Sequence, residues 1–377
     1  MKKLSTLLAL AISLIACKKE MGLASKVTFD LDKFEQNIKD TYGPQSVGFS
    51  YAIGVGNTIQ RHGAMGKARL AADGAKNYTS ETRQEIFSVT KFFTALAVVK
   101  ALTNKGKTLD EPIVNYLPST WTVHSDYDDL TFRKLLGHQS GFQMSNRTYD
   151  SLKFMMTLAQ GNTSRSYNNA NFALCRILLP YIVKGNAFFS QSESDDNILE
   201  QSTAEIFREQ VRLLVLKPAG LTFWDKVDFK DWHHQNIADY PHTRYYLWSD
   251  QTLSSTSNSE DLLIAAGSRG LTLSTYEVVQ TMIAFEEDEI VSANMVNTMK
   301  TEGLGFDSVN GIVGEQGRYY WKNGAGEDRR GVGGESIIMI FPKNNITVSI
   351  NCNSNRFADD QFVSSASLLA KAYDDAW

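Results

Sequence analysis

Strand patterns gather at the two ends of this chain and leave its middle to helix and loop, and this restricts the fold more than any other feature. Near the start, Val47, Phe49, Tyr51, Ile53 and Val55 alternate with small or polar residues, as a half-buried strand does. Gly56-Asn57 reads as the hairpin turn to a second strand near Thr58–His62. Near the end, Ile337–Phe341 and Ile346–Asn351 read as two strands joined by Pro342-Lys343-Asn344-Asn345. Helical spacing flanks both sets, with Leu31, Phe34, Ile38 and Tyr42 in one segment and Phe362, Ala366, Leu369 and Tyr373 in the other. Thr90 to Leu102 is strongly apolar and helical. The stretch from Lys184 to Glu200 is polar and irregular and reads as a surface loop. The expected fold is α/β of the α+β type, an antiparallel sheet flanked by N- and C-terminal helices. Its α/β part spans 27–107 and 255–377, and 108–254 form a mostly helical insert.

The first residues read as a leader, not as part of that fold. Lys2 and Lys3 form a basic start, and Leu4 to Ala16 is an apolar run too short to span a membrane as a helix. The run ends in Leu14-Ile15-Ala16-Cys17, which resembles the bacterial lipobox. The expectation is a lipoprotein signal peptide over 1–16, lipidation at Cys17, a tether over 17–26, and an exported protein anchored to the cell envelope. A net charge of -4, with no basic patch, argues against nucleic acid as a partner. Cys175 and Cys352 sit in apolar stretches and read as buried free thiols, although export permits a disulfide. No Cys/His spacing suggests zinc, His233-His234 reads as loop, and neither metal nor cofactor is expected.

Three segments carry candidate chemistry. Ser88-Val89-Thr90-Lys91 is the only S-x-x-K in the chain, and it opens the apolar helix. The spacing puts a hydroxyl and an amine on one helical face. A serine needs a base to become a nucleophile, and Lys91 can be that base if burial or nearby cations lower its pKa. At a helix N-terminus the Ser88 backbone N–H is available to an oxyanion. Ser166-Tyr167-Asn168-Asn169 precedes an apolar helix over Asn171–Leu179. It offers a phenol, whose pKa a nearby cation can lower, and an Asn169 amide that can align a substrate. Tyr319-Tyr320-Trp321-Lys322-Asn323-Gly324-Ala325 reads as an inner strand closing on a site. Lys322 would add positive charge, Gly324 would permit close backbone approach, and the Ala325 N–H would be a second oxyanion donor.

In this order, Ser-x-x-Lys, Tyr-x-Asn and Lys-x-Gly resemble the motifs of the penicillin-recognising serine hydrolases, closest to the class C β-lactamase-like branch. That branch also holds D-alanyl-D-alanine carboxypeptidases, D-aminopeptidases and esterases. Gly106-Lys107-Thr108-Leu109-Asp110-Glu111-Pro112, the segment Leu135-Leu136-Gly137-His138-Gln139-Ser140-Gly141, Leu216-Lys217-Pro218 and Gly270-Leu271-Thr272 are similar to its other landmarks. The sequence departs from the pattern at Asn168, where a small residue is commoner, and at Gly326–Val332, which looks inserted.

The resemblance implies a β-lactamase/transpeptidase-like fold and acyl transfer by Ser88, with Lys91 and Tyr167 sharing the proton in an order that stays open. It implies oxyanion and substrate contacts from Asn169, Lys322, Gly324 and Ala325, and a bracing role for His138. The expected activity is a serine hydrolase on small-molecule or peptide substrates, foremost a cell-wall D-amino-acid peptidase. An esterase or a β-lactamase is the alternative, and a non-catalytic ligand-binding lipoprotein is the alternative of another class. The aromatic stretch 223–250, with Trp224, Trp232, Tyr245, Tyr246 and Trp248, reads first as packing for the insert, with the lining of an aromatic cleft as the alternative.

Overall fold

The computed structural model describes residues 28–229, 243–254, 262–354 and 365–377. The expected lipobox with Cys17, and Trp232, His233 and His234, lie outside the described residues.

Seven strands form one antiparallel sheet. They are β1 (Gly48–Val55), β2 (Thr58–Arg69), β3 (Lys76–Asn77), β6 (Ile312–Gly314), β7 (Gly317–Glu327), β8 (Gly333–Phe341) and β9 (Ile346–Cys352), in the order β3-β2-β1-β9-β8-β7-β6. β1 lies beside β9, so the two ends of the chain meet in the middle of the sheet. β2 runs seven residues past the expected His62, and all but one of its residues are exposed or half-buried. A separate pair, β4 (Gln84–Glu85) with β5 (Thr272–Leu273), leads into the Ser88 region.

Strand periodicity divides the core in two. Along β8, Ile337, Met339 and Phe341 pack with Phe34 and Ile38 of α1 (Leu31–Tyr42). The same cluster holds Leu369 and Tyr373 of α10 (Ala366–Asp374). Ile338 and Ile340 face the other way, into the larger cluster built on α2 (Thr90–Asn104). Helices on both faces explain why every residue of β8 is buried. The larger cluster also gathers apolar residues from α3 (Phe132–Leu136), α4 (Tyr149–Met155), α5 (Asn169–Lys184) and α6 (Asn186–Phe189). Further members come from α7 (Asp196–Val211), α8 (Thr275–Glu286) and α9 (Ala293–Glu302). The architecture is the expected sheet with flanking helices and a helical insert.

One local expectation needs correction. The stretch 184–200 contains α6 and the start of α7, because the Asp195 carboxylate caps α7 by accepting from the Asn197 and Ile198 N–H groups. The segment Gly326–Val332 is the end of β7 and its hairpin turn to β8. Gly326 pairs with Gly334, and the Asp328 carboxylate accepts from the Arg330 and Val332 N–H groups across the turn. Cys175 and Cys352 are both buried and free.

Candidate active site

Ser88 sits in a tight 3-10 turn, Phe87–Val89, that runs straight into α2. Phe87 holds φ +45°, a left-handed conformation that costs a side-chain-bearing residue on the order of 1–3 kcal/mol. The turn is pinned from one side by β7. A Cβ on Gly324 would lie 2.6 Å from both Ile86 O and Ser88 N, and one on Gly326 would lie 2.6 Å from the Phe87 ring. Only glycine lets the strand pass this close.

Lys91, the second residue of α2 and one turn on from Ser88, is 0% exposed. Its Nζ is 3.1 Å from Ser88 Oγ, 2.9 Å from Asn169 Oδ1 and 2.7 Å from Ser268 O. Burial drives its pKa well below the usual lysine value, and the charges of Lys322, Arg147 and Arg269 push the same way against Asp307. A neutral amine suits this geometry. Its two N–H groups serve Asn169 Oδ1 and Ser268 O, and its lone pair faces the Ser88 hydroxyl.

Asn169 opens α5, and Asn168 is its N-cap. The Asn168 Oδ1 accepts from Ala170 N–H at 2.8 Å, while its Nδ2 donates to Phe142 O at 3.1 Å and Met144 O at 2.9 Å. The unusual middle residue of the Tyr-x-Asn motif therefore turns away from the cleft and fixes the helix start. Tyr167, just before the cap, reaches over Ser88 with its hydroxyl 2.8 Å from Ser88 Oγ and 3.4 Å from Asn169 Oδ1. Its ring is flanked by Lys91 Nζ at 5.0 Å and Lys322 Nζ at 5.2 Å.

The side chain of Tyr167 is 50% exposed, but burial of the phenol pushes its pKa up to about 12. Asp307 adds to this, against the Ser88 hydrogen bond and the Arg147 charge. The expectation that nearby cations would lower this phenol is therefore reversed. His138 braces the same segment, as expected. Its Nδ1 accepts from Asn168 N–H at 3.2 Å and lies 3.0 Å from Asn171 Nδ2, and its ring packs 4.8 Å from that of Tyr167. Burial, then the Lys91 charge, lowers its pKa to about 2, so it is neutral with its proton on Nε2.

Lys322 is 1% exposed, and its Nζ is 2.5 Å from Asp307 Oδ1. Burial lowers its pKa, and Asp307 opposes the shift. Much of the charge assigned to a substrate from sequence is thus met by Asp307 inside the protein. The other Asp307 oxygen accepts from Asn323 N–H at 2.9 Å, so that N–H points away from β8. By the two-residue strand repeat the Ala325 N–H points off the same edge, toward the Ser88 turn.

The structure thus brings Ser88, Lys91, Tyr167, Asn169, Lys322, Gly324 and Ala325 together. Sequence reading did not single out Ser268, Asp307, Arg147 or Arg269. Ser268 acts through its backbone carbonyl, and no side-chain pattern marks that. Arg269 is held by Glu85 through two 2.8 Å hydrogen bonds. In the aromatic stretch, Tyr245 accepts from Glu85 N–H at 3.0 Å and Tyr246 is fully buried, so both pack.

No curated protein matches the chain. Among solved structures, it is similar to the D-amino acid amidase from Ochrobactrum anthropi SV3 complexed with D-phenylalanine. That match has a TM-score of 0.67 at 14% identity, over 92% of this chain and 98% of that one. FmtA from Staphylococcus aureus gives a TM-score of 0.64 at 16% identity, over 93% and 92% of the two chains. The penicillin-binding protein from Bacillus halodurans gives 0.60 at 18% identity, over 91% and 98%. The family model described as Beta-lactamase matches residues 32–186. The segment that carries Ser88, Lys91, Tyr167 and Asn169 is thus the one that the Beta-lactamase family model matches, within a fold of the β-lactamase/transpeptidase type.

Proposed function

We propose that the chain is a serine hydrolase that works through an acyl-enzyme on Ser88 and acts on amides of D-amino-acid peptides. The observation that carries this reading is the convergence on Ser88 Oγ of Lys91 Nζ at 3.1 Å and the Tyr167 hydroxyl at 2.8 Å. The likeness in fold to a D-amino acid amidase and a penicillin-binding protein supports the substrate class.

In this mechanism neutral Lys91 takes the Ser88 proton as Oγ attacks the substrate carbonyl carbon. The resulting ammonium is held by Asn169 Oδ1 and Ser268 O. The Ser88 and Ala325 N–H groups receive the oxyanion. Tyr167, a phenol at working pH, passes a proton to the leaving nitrogen as the C–N bond breaks, and is reprotonated from Lys91. Water then attacks the ester carbonyl, the same groups run in reverse, and the acid leaves from Ser88. The Lys322–Asp307 pair positions the β7 edge and contributes electrostatically to the cleft.

The test is turnover of D-alanyl-D-alanine peptides, D-amino acid amides, small aryl esters and β-lactams, with mass spectrometry of the protein after brief exposure to each. Wild type should carry an acyl mass on Ser88, and Ser88→Ala should carry none. Folded protein that takes no adduct from any of them, or from a serine-directed phosphonate, sinks the reading. The leader reading belongs beside it: Cys17 is proposed as the lipidated first residue of an envelope protein. Intact mass of the membrane-extracted protein tests this, and an unmodified Cys17 overturns it.

A further inference from the structure

A pocket of about 570 Å³ lies against the catalytic cluster, walled in part by Ser145, Arg147, Thr148, Leu262, Ile264 and Arg269. Two of its walls are continuous with groups already described. Ser145 Oγ accepts from Asn169 N–H at 3.1 Å. Arg269 directly follows Ser268, whose carbonyl holds Lys91. The pocket is therefore walled by the residue that receives the Asn169 N–H and by the neighbour of the residue that holds Lys91.

The charges of the pocket do not cancel. Arg269 is fixed by the Glu85 carboxylate, which makes that pair neutral as a unit. Arg147 forms no ion pair among the described residues, and its buried Nε has no hydrogen-bond partner. Burial, then the Arg269 charge, disfavours the Arg147 cation, and an anion placed beside it would offset both effects. Leu262 and Ile264 supply apolar surface beside this charge, with Ile264 largely exposed. A half-buried cation beside an apolar wall suits one ligand chemistry, a carboxylate carried on an apolar body.

We propose that this pocket is a specificity subsite in which Arg147 receives a carboxylate of the substrate while Leu262 and Ile264 take the apolar group next to it. It rests on the reading of Ser88 as the acylated residue, and it moves carboxylate recognition from Lys322, already paired with Asp307, to Arg147. Substrates with a free carboxylate near the scissile bond are then preferred over their neutral counterparts.

Equilibrium binding of 4-phenylbutyrate and of neutral 4-phenylbutyramide tests the subsite without any turnover. Wild type should bind the carboxylate about tenfold or more tightly than the amide, the size of one charge-assisted hydrogen bond. Arg147→Gln should erase the preference and Arg147→Lys should keep part of it. Thr148→Asp serves as a second variant if Arg147→Gln does not fold. Thr148 is the N-cap of α4, where aspartate is well tolerated, and its charge on the same wall should reverse the preference. Equal binding of the two probes by wild type, or a preference that survives Arg147→Gln and Thr148→Asp, overturns the proposal. Ser88→Ala should retain the preference, so loss of acylation chemistry and loss of the subsite are read separately.

Discussion

At the scale of the residue, the decisive quantity is the protonation of Lys91. Its folded pKa lies well below the usual lysine value, chiefly through burial. Only the neutral amine can accept the Ser88 proton, so kcat/KM should rise with pH through that depressed value and then stay level. The phenol of Tyr167 ionises only near pH 12, so no falling limb from it is expected in the working range. His138, with its pKa lowered to about 2, contributes no inflection between about pH 5 and 8. A pH–rate profile checks all three, and an inflection that disappears in His138→Gln contradicts the assignment.

The same shift acts on stability. Between the depressed pKa and the unfolded one, the unfolded chain binds the Lys91 proton and the folded one does not. Stability from this group therefore increases with pH across that window. Removing Tyr167 or Lys91 should hurt unequally. Tyr167→Phe keeps the ring and should lose on the order of 10²-fold in kcat, while Lys91→Met removes the base and should lose on the order of 10⁴-fold. Single-turnover acylation of an aryl ester measures both.

At the scale of the element, the site depends on a strand passing a turn at a distance only glycine allows. Gly324→Ala places a methyl 2.6 Å from Ile86 O and Ser88 N, both backbone atoms that cannot swing aside. The strand and the turn must separate, and Ser88 then loses its place relative to the Ala325 N–H. Acylation should fall by at least the ~10²–10³-fold that loss of one oxyanion donor costs. Measured acylation within twofold of wild type would show that β7 does not frame the site. His138→Ala tests the other side of the cleft. It strands the Asn168 N–H and the Asn171 amide, at a cost of about 1–3 kcal/mol in a denaturant titration.

These elements also show what was legible in the sequence. Serine, lysine, tyrosine and asparagine stood in a pattern of residue types, and the strand alternations at 47–55 and 337–351 needed only period two. The tie from Asn168 Nδ2 to the carbonyls of Phe142 and Met144 was not legible, since those lie in a separate loop. Asp307 and Arg147 were missed because each acts on the site across a tertiary contact, with no neighbour in sequence to give it away. The Tyr167 phenol was misread because proximity to cations was visible in prospect, while burial, the stronger effect, was not.

At the scale of the whole molecule, the sheet separates two jobs. One face packs on α1 and α10 and holds nothing of the site. The other packs on α2 and α8, and the Ser88 turn lies where α2, α5 and the β7 edge meet. Phe341 belongs wholly to the first face, stacked 4.0 Å from Tyr373 and edge-on to Tyr319 and Phe34 at 4.7 and 5.8 Å. Phe341→Ala should cost about 3–5 kcal/mol, since a buried ring is lost and the rigid sheet cannot close on the cavity. The change acts through folding alone, because the Ile338 and Ile340 side chains that face the catalytic side keep their register in β8. Active-site titration of the folded fraction, well below its melting temperature, should therefore give an acylation rate within about twofold of wild type. An equally large fall in that rate would mean that the two faces are mechanically coupled and that the sheet transmits strain to the Ser88 turn.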